Sequence, residues 1–290
     1  MTEHIPVLAQ EVLDGLNLSS GDTVLDCTVG LGGHAKLILD ATGPDGRLLG
    51  FDRDQRNLEV AEKVLAGFSD RITLIHDSFG NLASHDLPNI DSALFDLGIA
   101  SPHVDDPTRG FSFGKEGPLD MRYDQTQELT AEEIVNSWSQ KDLADLFYVY
   151  GEETRSHQIA KAITHARRKN RIKSTTELAS IIEEVNPRRG KIHPATKVFQ
   201  AIRMGVNDEL GEIDRGVKSA IDLLRPEGRI VVISFHSIED RLVKQLFKTH
   251  AQLNIITKKV IQASYEEKRA NPRARSAKLR VAEKTVSQSA

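Results

Sequence analysis

Thr23-Val-Leu-Asp-Cys-Thr-Val-Gly-Leu-Gly-Gly-His34 runs from an apolar strand into a glycine loop, and Leu48-Leu-Gly-Phe-Asp-Arg53 supplies a second strand that ends on an acid. A strand, a glycine turn, a helix and a second strand closing on a carboxylate make the front of a nucleotide-binding βαβ unit, with Asp52 placed to grip a ribose diol. The glycines stand at positions 30, 32 and 33. That spacing is not G-x-G-x-x-G, and it lacks the helix-capped nest of amides that a pyrophosphate requires. An adenosine cofactor without a diphosphate fits better, and S-adenosylmethionine is the common one. Gly32, Gly33 and His34 then pass close to its methionine portion.

Working outward, strand and helix patterns alternate. An amphipathic helix is expected over Val7–Leu16, strands over Thr23–Asp26, Leu48–Asp52, Ile72–His76 and Asp91–Asp96, and helices over Ala35–Ala41 and Asn57–Ala66. This is a parallel, doubly wound α/β sheet. Ligands of such sheets sit beyond the carboxyl ends of the strands, so Asp77-Ser-Phe79 after the third strand becomes a candidate adenine site, with Phe79 packing on the ring. Residues 105–127 then lose all periodicity, and residues 130–184 read as helices. A helix over Ala195–Met204 and another over Glu209–Leu224 follow. The sheet returns in Arg225-Pro-Glu-Gly-Arg-Ile-Val-Val-Ile-Ser-Phe235, a tight turn feeding a strongly apolar strand, and Glu239–His250, a strand-like Ile255–Ile261 and a basic tail complete the chain. The expectation is a Rossmann-like methyltransferase domain, residues 1–108 and 200–290, interrupted by a helical substrate-recognition domain, residues 109–199.

The net charge of −4 hides an asymmetry. Residues 1–150 carry 10 Lys and Arg against 26 Asp and Glu, whereas residues 151–290 carry 28 against 16. A basic half in a chain with a methyl-donor loop favours a nucleic-acid partner. Two clusters dominate it, Arg167-Arg-Lys-Asn-Arg-Ile-Lys173 and Lys268-Arg-Ala-Asn-Pro-Arg-Ala-Arg-Ser-Ala-Lys-Leu-Arg280. The N-terminus resembles no signal peptide, no apolar run reaches the roughly 18 residues of a membrane span, and the single Cys27 agrees with a reducing compartment. A cytoplasmic protein is expected. Cys27 reads as a filler of a small buried niche, and no grouping has metal-ligand spacing, so no metal is expected.

The fourth strand end, Asp96-Leu-Gly-Ile-Ala-Ser-Pro-His103, is the most specific segment. Amino methyltransferases carry an [Asp/Asn/Ser]-Pro-Pro-aromatic loop here, and the longer form in this chain resembles the MraW/RsmH family of small-subunit ribosomal RNA cytosine-N4 methyltransferases. Further landmarks of the resemblance are His4-Ile-Pro-Val-Leu8, Asp26–His34, Asp52-Arg-Asp54, Arg109-Gly-Phe-Ser-Phe113, Gly117-Pro-Leu-Asp-Met-Arg122, Gly151-Glu-Glu153, His193–Arg203, Ile233–Arg241 and Asn271-Pro-Arg-Ala-Arg275. It covers nearly the whole chain. It implies cofactor contacts at Gly32, Gly33, His34, Asp52, Phe79 and Asp96. His103 joins them, standing where the family often has Gln. The family's Ser-Ser-Pro is Ala100-Ser101-Pro102 here, which leaves Ser101 as the serine with a role.

Cytosine N4 is a poor nucleophile because its lone pair is delocalised into the ring. Methylation needs in-line orientation and acceptors for the amine hydrogens. Asp96, Ser101 and the carbonyls beside Pro102 are the candidates, although Asp96 reads nearly as well as a cofactor-holding or loop-fixing carboxylate. The target base must leave its stack to reach such a pocket. Arg167, Arg168 and Arg171, together with Arg203, Asn207 and His236, are the candidate RNA contacts, with packing and structural hydrogen bonds as the competing roles for the last three. A DNA amino methyltransferase, a dinucleotide-dependent oxidoreductase and a non-catalytic RNA-binding assembly protein are the other readings. The target nucleotide and the oligomeric state stay open.

Overall fold

A computed structural model of the chain describes residues 6–188, 190 and 193–286, with the Ser101 side chain left out. His4 and Ile5 of the first landmark lie outside the described residues. The described residues form two compact units, one from residues up to 98 together with those from 210 onward, the other from residues 99–209.

The first unit starts with α1 (Ala9–Leu16), β1 (Thr23–Asp26), α2 (Gly33–Ala41), β2 (Arg47–Asp52), α3 (Gln55–Val64), β3 (Ile72–His76) and β4 (Ile90–Asp96). The second holds α4 (Ser101–Asp105), α5 (Ala131–Ser137), α6 (Gln140–Gly151), α7 (Ser156–Ala166), α8 (Thr175–Val185) and α9 (Ala195–Val206). The chain then resumes the first unit through α10 (Glu209–Leu223), β5 (Leu224–Ser234), α11 (Ser237–Thr249), β6 (Leu253–Ile255), α12 (Tyr265–Ala270) and β7 (Lys278–Lys284). No helix among the described residues is long and apolar enough to cross a membrane.

The sheet order is β3-β2-β1-β4-β5-β7-β6, parallel from β3 to β5, with β7 antiparallel to both β5 and β6. Alternate residues of one strand feed two separate cores. Leu94, Val231, Ile233 and Leu279 pack with α1, α2 and α3 on one face, while Ala93, Phe95, Ile230 and Val232 pack with α10 and α11 on the other. Covering both faces is why these strands read as continuous apolar runs. At Gly15, α1 comes so close to the sheet that a Cβ would sit 3.0 Å from methyls of Val231 and Val281.

Three details differ from the sequence reading. The expected turn at Arg225–Gly228 lies inside β5 as an irregularity, where the pairing jumps from Ile90↔Leu224 to Ser92↔Arg229 and Glu227 takes φ +67°. The strand expected over Ile255–Ile261 is the shorter β6, with an isolated bridge from Ile261 to Leu279. The basic tail contains a sheet strand, β7, with Leu279, Arg280, Val281 and Ala282 all buried. Arg280 reaches Asp240 at 2.7 Å, Glu283 holds Arg229 at 2.9 Å, and Lys284 donates to the carbonyls of Ile221, Asp222 and Leu224. With its charges partnered, a lysine- and arginine-rich segment enters a sheet.

The helical unit has its own core around Phe147, Ile159, Ile163, Leu178 and Ile202. Its boundaries lie ten residues outside the expected 109 and 199, at 99 and 209. At the far end α9 carries Ala201, Ile202 and Val206 into that same core. At the near end Arg109, 2% exposed, donates Nη2 to the carbonyls of Arg122 and Tyr123. Truncation of Phe147, fully buried here, tests this core: Phe147→Ala is expected to cost about 3–5 kcal/mol, read as a lowered urea midpoint. An unchanged midpoint contradicts the packing.

Candidate active site

Three carboxylates end three adjacent parallel strands: Asp52 on β2, Asp26 on β1 and Asp96 on β4. Two hydrogen bonds from loop amides and one from a side-chain amide orient Asp52. Gly30 N–H donates to Oδ2 at 2.8 Å, while Asp54 N–H and Asn57 Nδ2 donate to Oδ1 at 2.8 and 3.2 Å. The first of these ties the glycine loop to the tip of β2. Gly32 closes that loop at φ +85°, a left-handed conformation that favours glycine, and a Cβ there would lie 3.4 Å from Ala61 Cα.

Asp26 Oδ1 accepts Thr28 N–H at 3.0 Å, and Thr28 Oγ1 accepts Asp96 N–H at 2.7 Å, so one loop links two of the acids. Asp26 Oδ2 and Asp96 Oδ1 are shut off from solvent without a hydrogen-bond partner among the described residues. Burial pushes the Asp26 carboxyl up to about 7, opposed by the Thr28 amide and His34. Burial does the same to Asp96, also to about 7, with the Glu239 carboxylate adding to the rise and the Gly98 amide opposing it. The Asp96 side chain is about a quarter exposed as a whole, but its Oδ1 is enclosed.

His34 is buried, and burial lowers its pKa. Its Nε2 lies 2.9 Å from the Val7 carbonyl, which only an N–H satisfies. The neutral ring therefore turns an unprotonated Nδ1 toward Asp96 Oδ2, 3.6 Å away. That distance is too long for a hydrogen bond, and a neutral Asp96 sits more easily beside that lone pair than an anion. Cys27 is buried and its thiol is pushed well up by burial, so it is unreactive.

Phe79 follows β3 and lies edge-on to Phe95, with centroids 5.4 Å apart. Its loop is fixed by Glu212, which contacts Ser78 Oγ and accepts Gly80 N–H at 3.0 Å. Asp77 is engaged by His85 and Asn81.

Three acids at the strand ends, Asp26 buried and Asp52 and Asp96 partly so, disfavour a diphosphate and suit a ligand that carries positive charge and N–H or O–H donors. Asp26 and Asp96 each retain an enclosed acceptor for such donors. The residues present thus fit S-adenosylmethionine and do not fit a dinucleotide.

The comparison with known proteins gives the same answer. Residues 1–285 match the MraW methylase family. The chain belongs to this family. It is 49% identical over 285 residues to the ribosomal RNA small subunit methyltransferase H of Rippkaea orientalis, spanning 97% of this chain and 92% of that protein. The protein of the same name from Cyanothece sp. is 47% identical over 282 residues, spanning 97% and 94%.

The remaining candidates of this MraW-family chain belong to the helical unit or to α11. Pro102 stands in the first turn of α4, where its fixed φ suits a helix start. The Pro102 carbonyl accepts the N–H of Asp106, and the Ala100 carbonyl that of His103. Ser101's side chain lies outside the described residues. His103 is buried against Phe111 and Tyr123, with all three centroids within 5.3 Å of one another.

Among the expected RNA contacts, several side chains hold partners within the scaffold. Arg167 caps the Val135 and Trp138 carbonyls at 2.7 Å, and Arg171 pairs with Glu132 and Glu133. Arg203 grips both oxygens of Glu209. Asn207, 1% exposed, is bonded to Tyr123, Met121 and Arg203 backbone. His236 caps α11, accepting Glu239 N–H while Glu239 accepts the amides of Phe235 and His236. Of the six, Arg168 remains exposed without a side-chain partner among the described residues.

Asp26 and Glu239 were missed in the sequence. Asp26 obeys the same strand-end rule as Asp52 and Asp96, and His236-Ser-Ile-Glu239 has the spacing of a capping box.

A raised acid holds its proton in the folded state up to about pH 7 but releases it near 4 when unfolded. Stability from Asp26 therefore falls as pH rises between those values and is level above them. Asp26→Asn removes this dependence, so the cofactor-free variant should gain on the wild type as pH goes from 4 to 7 in urea denaturation. A gap that stays constant with pH refutes the buried-acid assignment.

Proposed function

We propose that this chain methylates the exocyclic N4 amine of a cytidine in small-subunit (16S) ribosomal RNA, with S-adenosylmethionine as donor. The carrying observation is the row of strand-end acids, with Asp52 held by Gly30, Asp54 and Asn57 and with Asp96 left an enclosed acceptor. Family membership and the names of the relatives support the reaction and the RNA substrate.

When bound, the donor offers an electrophilic methyl group on a sulfonium. Asp52, its carboxylate oriented by the Gly30, Asp54 and Asn57 donors, accepts from the ribose diol. Gly32 and Gly33 keep the loop thin beside the methionine portion, and the neutral His34 braces the loop against Val7. Phe79 borders the adenine. Asp96, as the carboxylate, accepts a hydrogen of the cytosine amine and lets the nitrogen lone pair leave conjugation; acceptors set in place before reaction lower the barrier. Ser101 is the second polar group of that loop, and Pro102 sets its helix. His103 braces the loop through its ring contacts. The helical unit recognises the RNA and Arg168 contacts its phosphates. The reaction takes place in the cytoplasm on the small ribosomal subunit.

The test is transfer of label from radiolabelled S-adenosylmethionine to small subunits, free ribosomal RNA or duplex DNA, followed by nucleoside analysis. N4-methylcytidine from ribosomal RNA is expected. Label confined to DNA, or RNA binding without label, overturns the reading.

Two variants sharpen it. Asp52→Ala should weaken donor binding tenfold or more by calorimetry. Asp96→Asn should bind the donor yet lose about 10²-fold in rate. In the wild type the rate should rise with pH through a midpoint near 7, as Asp96 ionises; a flat profile removes Asp96 from the reaction.

A further inference from the structure

A groove of about 520 Å³ opens between α11, the segment before α12 and the start of β7, lined by Lys244, Lys258, Lys259, Lys278, Arg280 and Asp240. Five cations face one acid. Asp240 is already committed, to Arg280 at 2.7 Å and to Lys278 at 3.7 Å, which fixes those two side chains as a wall. Lys244, Lys258 and Lys259 are exposed and have no ion pair among the described residues. Three exposed lysines elsewhere are paired with neighbours: Lys36 with Asp40, Lys141 with Asp145 and Lys218 with Asp214.

Strand register places this groove. Asp96 pairs with Ile233, and Ile233 with Leu279. Lys278 and Arg280 flank Leu279, so they stand two strands from Asp96 at the same end of the sheet. Two strand spacings are about 10 Å. No aromatic ring lines the groove, so it offers charge and no surface for stacking a base. Such a site positions a phosphodiester backbone and reads no sequence.

We propose that this groove of the α/β unit is a docking site for the RNA backbone beside the target nucleotide, with Lys244, Lys258 and Lys259 as its phosphate contacts. The inference rests on the RNA substrate proposed above. It relocates part of the basic footprint from the Arg167–Lys173 cluster, where Arg167 and Arg171 serve the helical unit, to lysines close in the fold to the reacting end of the sheet.

The salt dependence of binding tests it. Single-stranded RNA loses about 0.7 in the slope of log K against log salt for each phosphate contact removed. The full-length Lys244→Ala/Lys258→Ala/Lys259→Ala variant should therefore bind naked small-subunit ribosomal RNA with a slope shallower by about 2. Its donor affinity and thermal midpoint should match the wild type, and the corresponding triple arginine variant should restore the slope. An unchanged slope overturns the proposal. So does a loss seen with the assembled subunit but not with naked RNA, which would mean that the groove meets an acidic protein. Wild-type label transfer is measured alongside: its absence counts against the RNA methylation reading itself, while the slopes still decide whether the groove holds RNA.

Discussion

Carboxylates at the ends of adjacent buried strands are the constraint on which the α/β unit turns. Asp52, Asp26 and Asp96 occupy β2, β1 and β4, neighbours in the sheet, and burial makes negative charge on Asp26 and Asp96 costly. The chain meets that cost with amide donors where it can. Gly30 and Asp54 supply them to Asp52 and Thr28 supplies one to Asp26. What remains without a partner among the described residues, one oxygen each on Asp26 and Asp96, is an affinity held in reserve for a cationic, donor-rich ligand. The glycine loop takes its path from the same acids, because its Gly30 amide is the donor that turns Asp52.

Around that row, neutral and charged groups are arranged so that each acid differs from the next. Asp52 meets three N–H donors, whereas Asp96 faces an imidazole nitrogen on one side and feels the Glu239 carboxylate on the other. Burial, with the Glu239 carboxylate beside it, leaves Asp96 poised to exchange a proton near neutrality. Glu239 also carries the N-terminus of α11 on its capping bonds, so one buried side chain joins the end of β5, the start of a helix and the electrostatics of Asp96.

Much of this was legible from residue order. Thr23–His34 and the strand ends at Asp52 and Asp96 can be read because the apolar strands and the glycines act locally, through backbone geometry and burial. The parts that escaped depend on partners far along the chain. Lys278–Lys284 reads as part of a basic tail because nothing nearby in sequence shows that Asp240, Arg229 and the end of α10 take up its charges. Arg203 and Asn207 read as nucleotide contacts because helical spacing puts both on one face, but Glu209, Tyr123 and Met121 claim them. A polar group on a helix is ambiguous until its distant partner is known. An apolar one is far less so.

β7 carries a consequence for how the molecule is made. It lies between β5 and β6, both of which precede it in the chain. During synthesis β6 has no neighbour on the sheet, and α10 lacks the lysine ammonium that gathers the carbonyls at its C-terminal end, until residues 278–284 emerge. The sheet thus closes late, through contacts of wide sequence separation, and such closure is slow. The strand-end acids sit on the earlier parallel strands. Half the ligand-binding end of the sheet can form on the nascent chain well before its far edge is sealed.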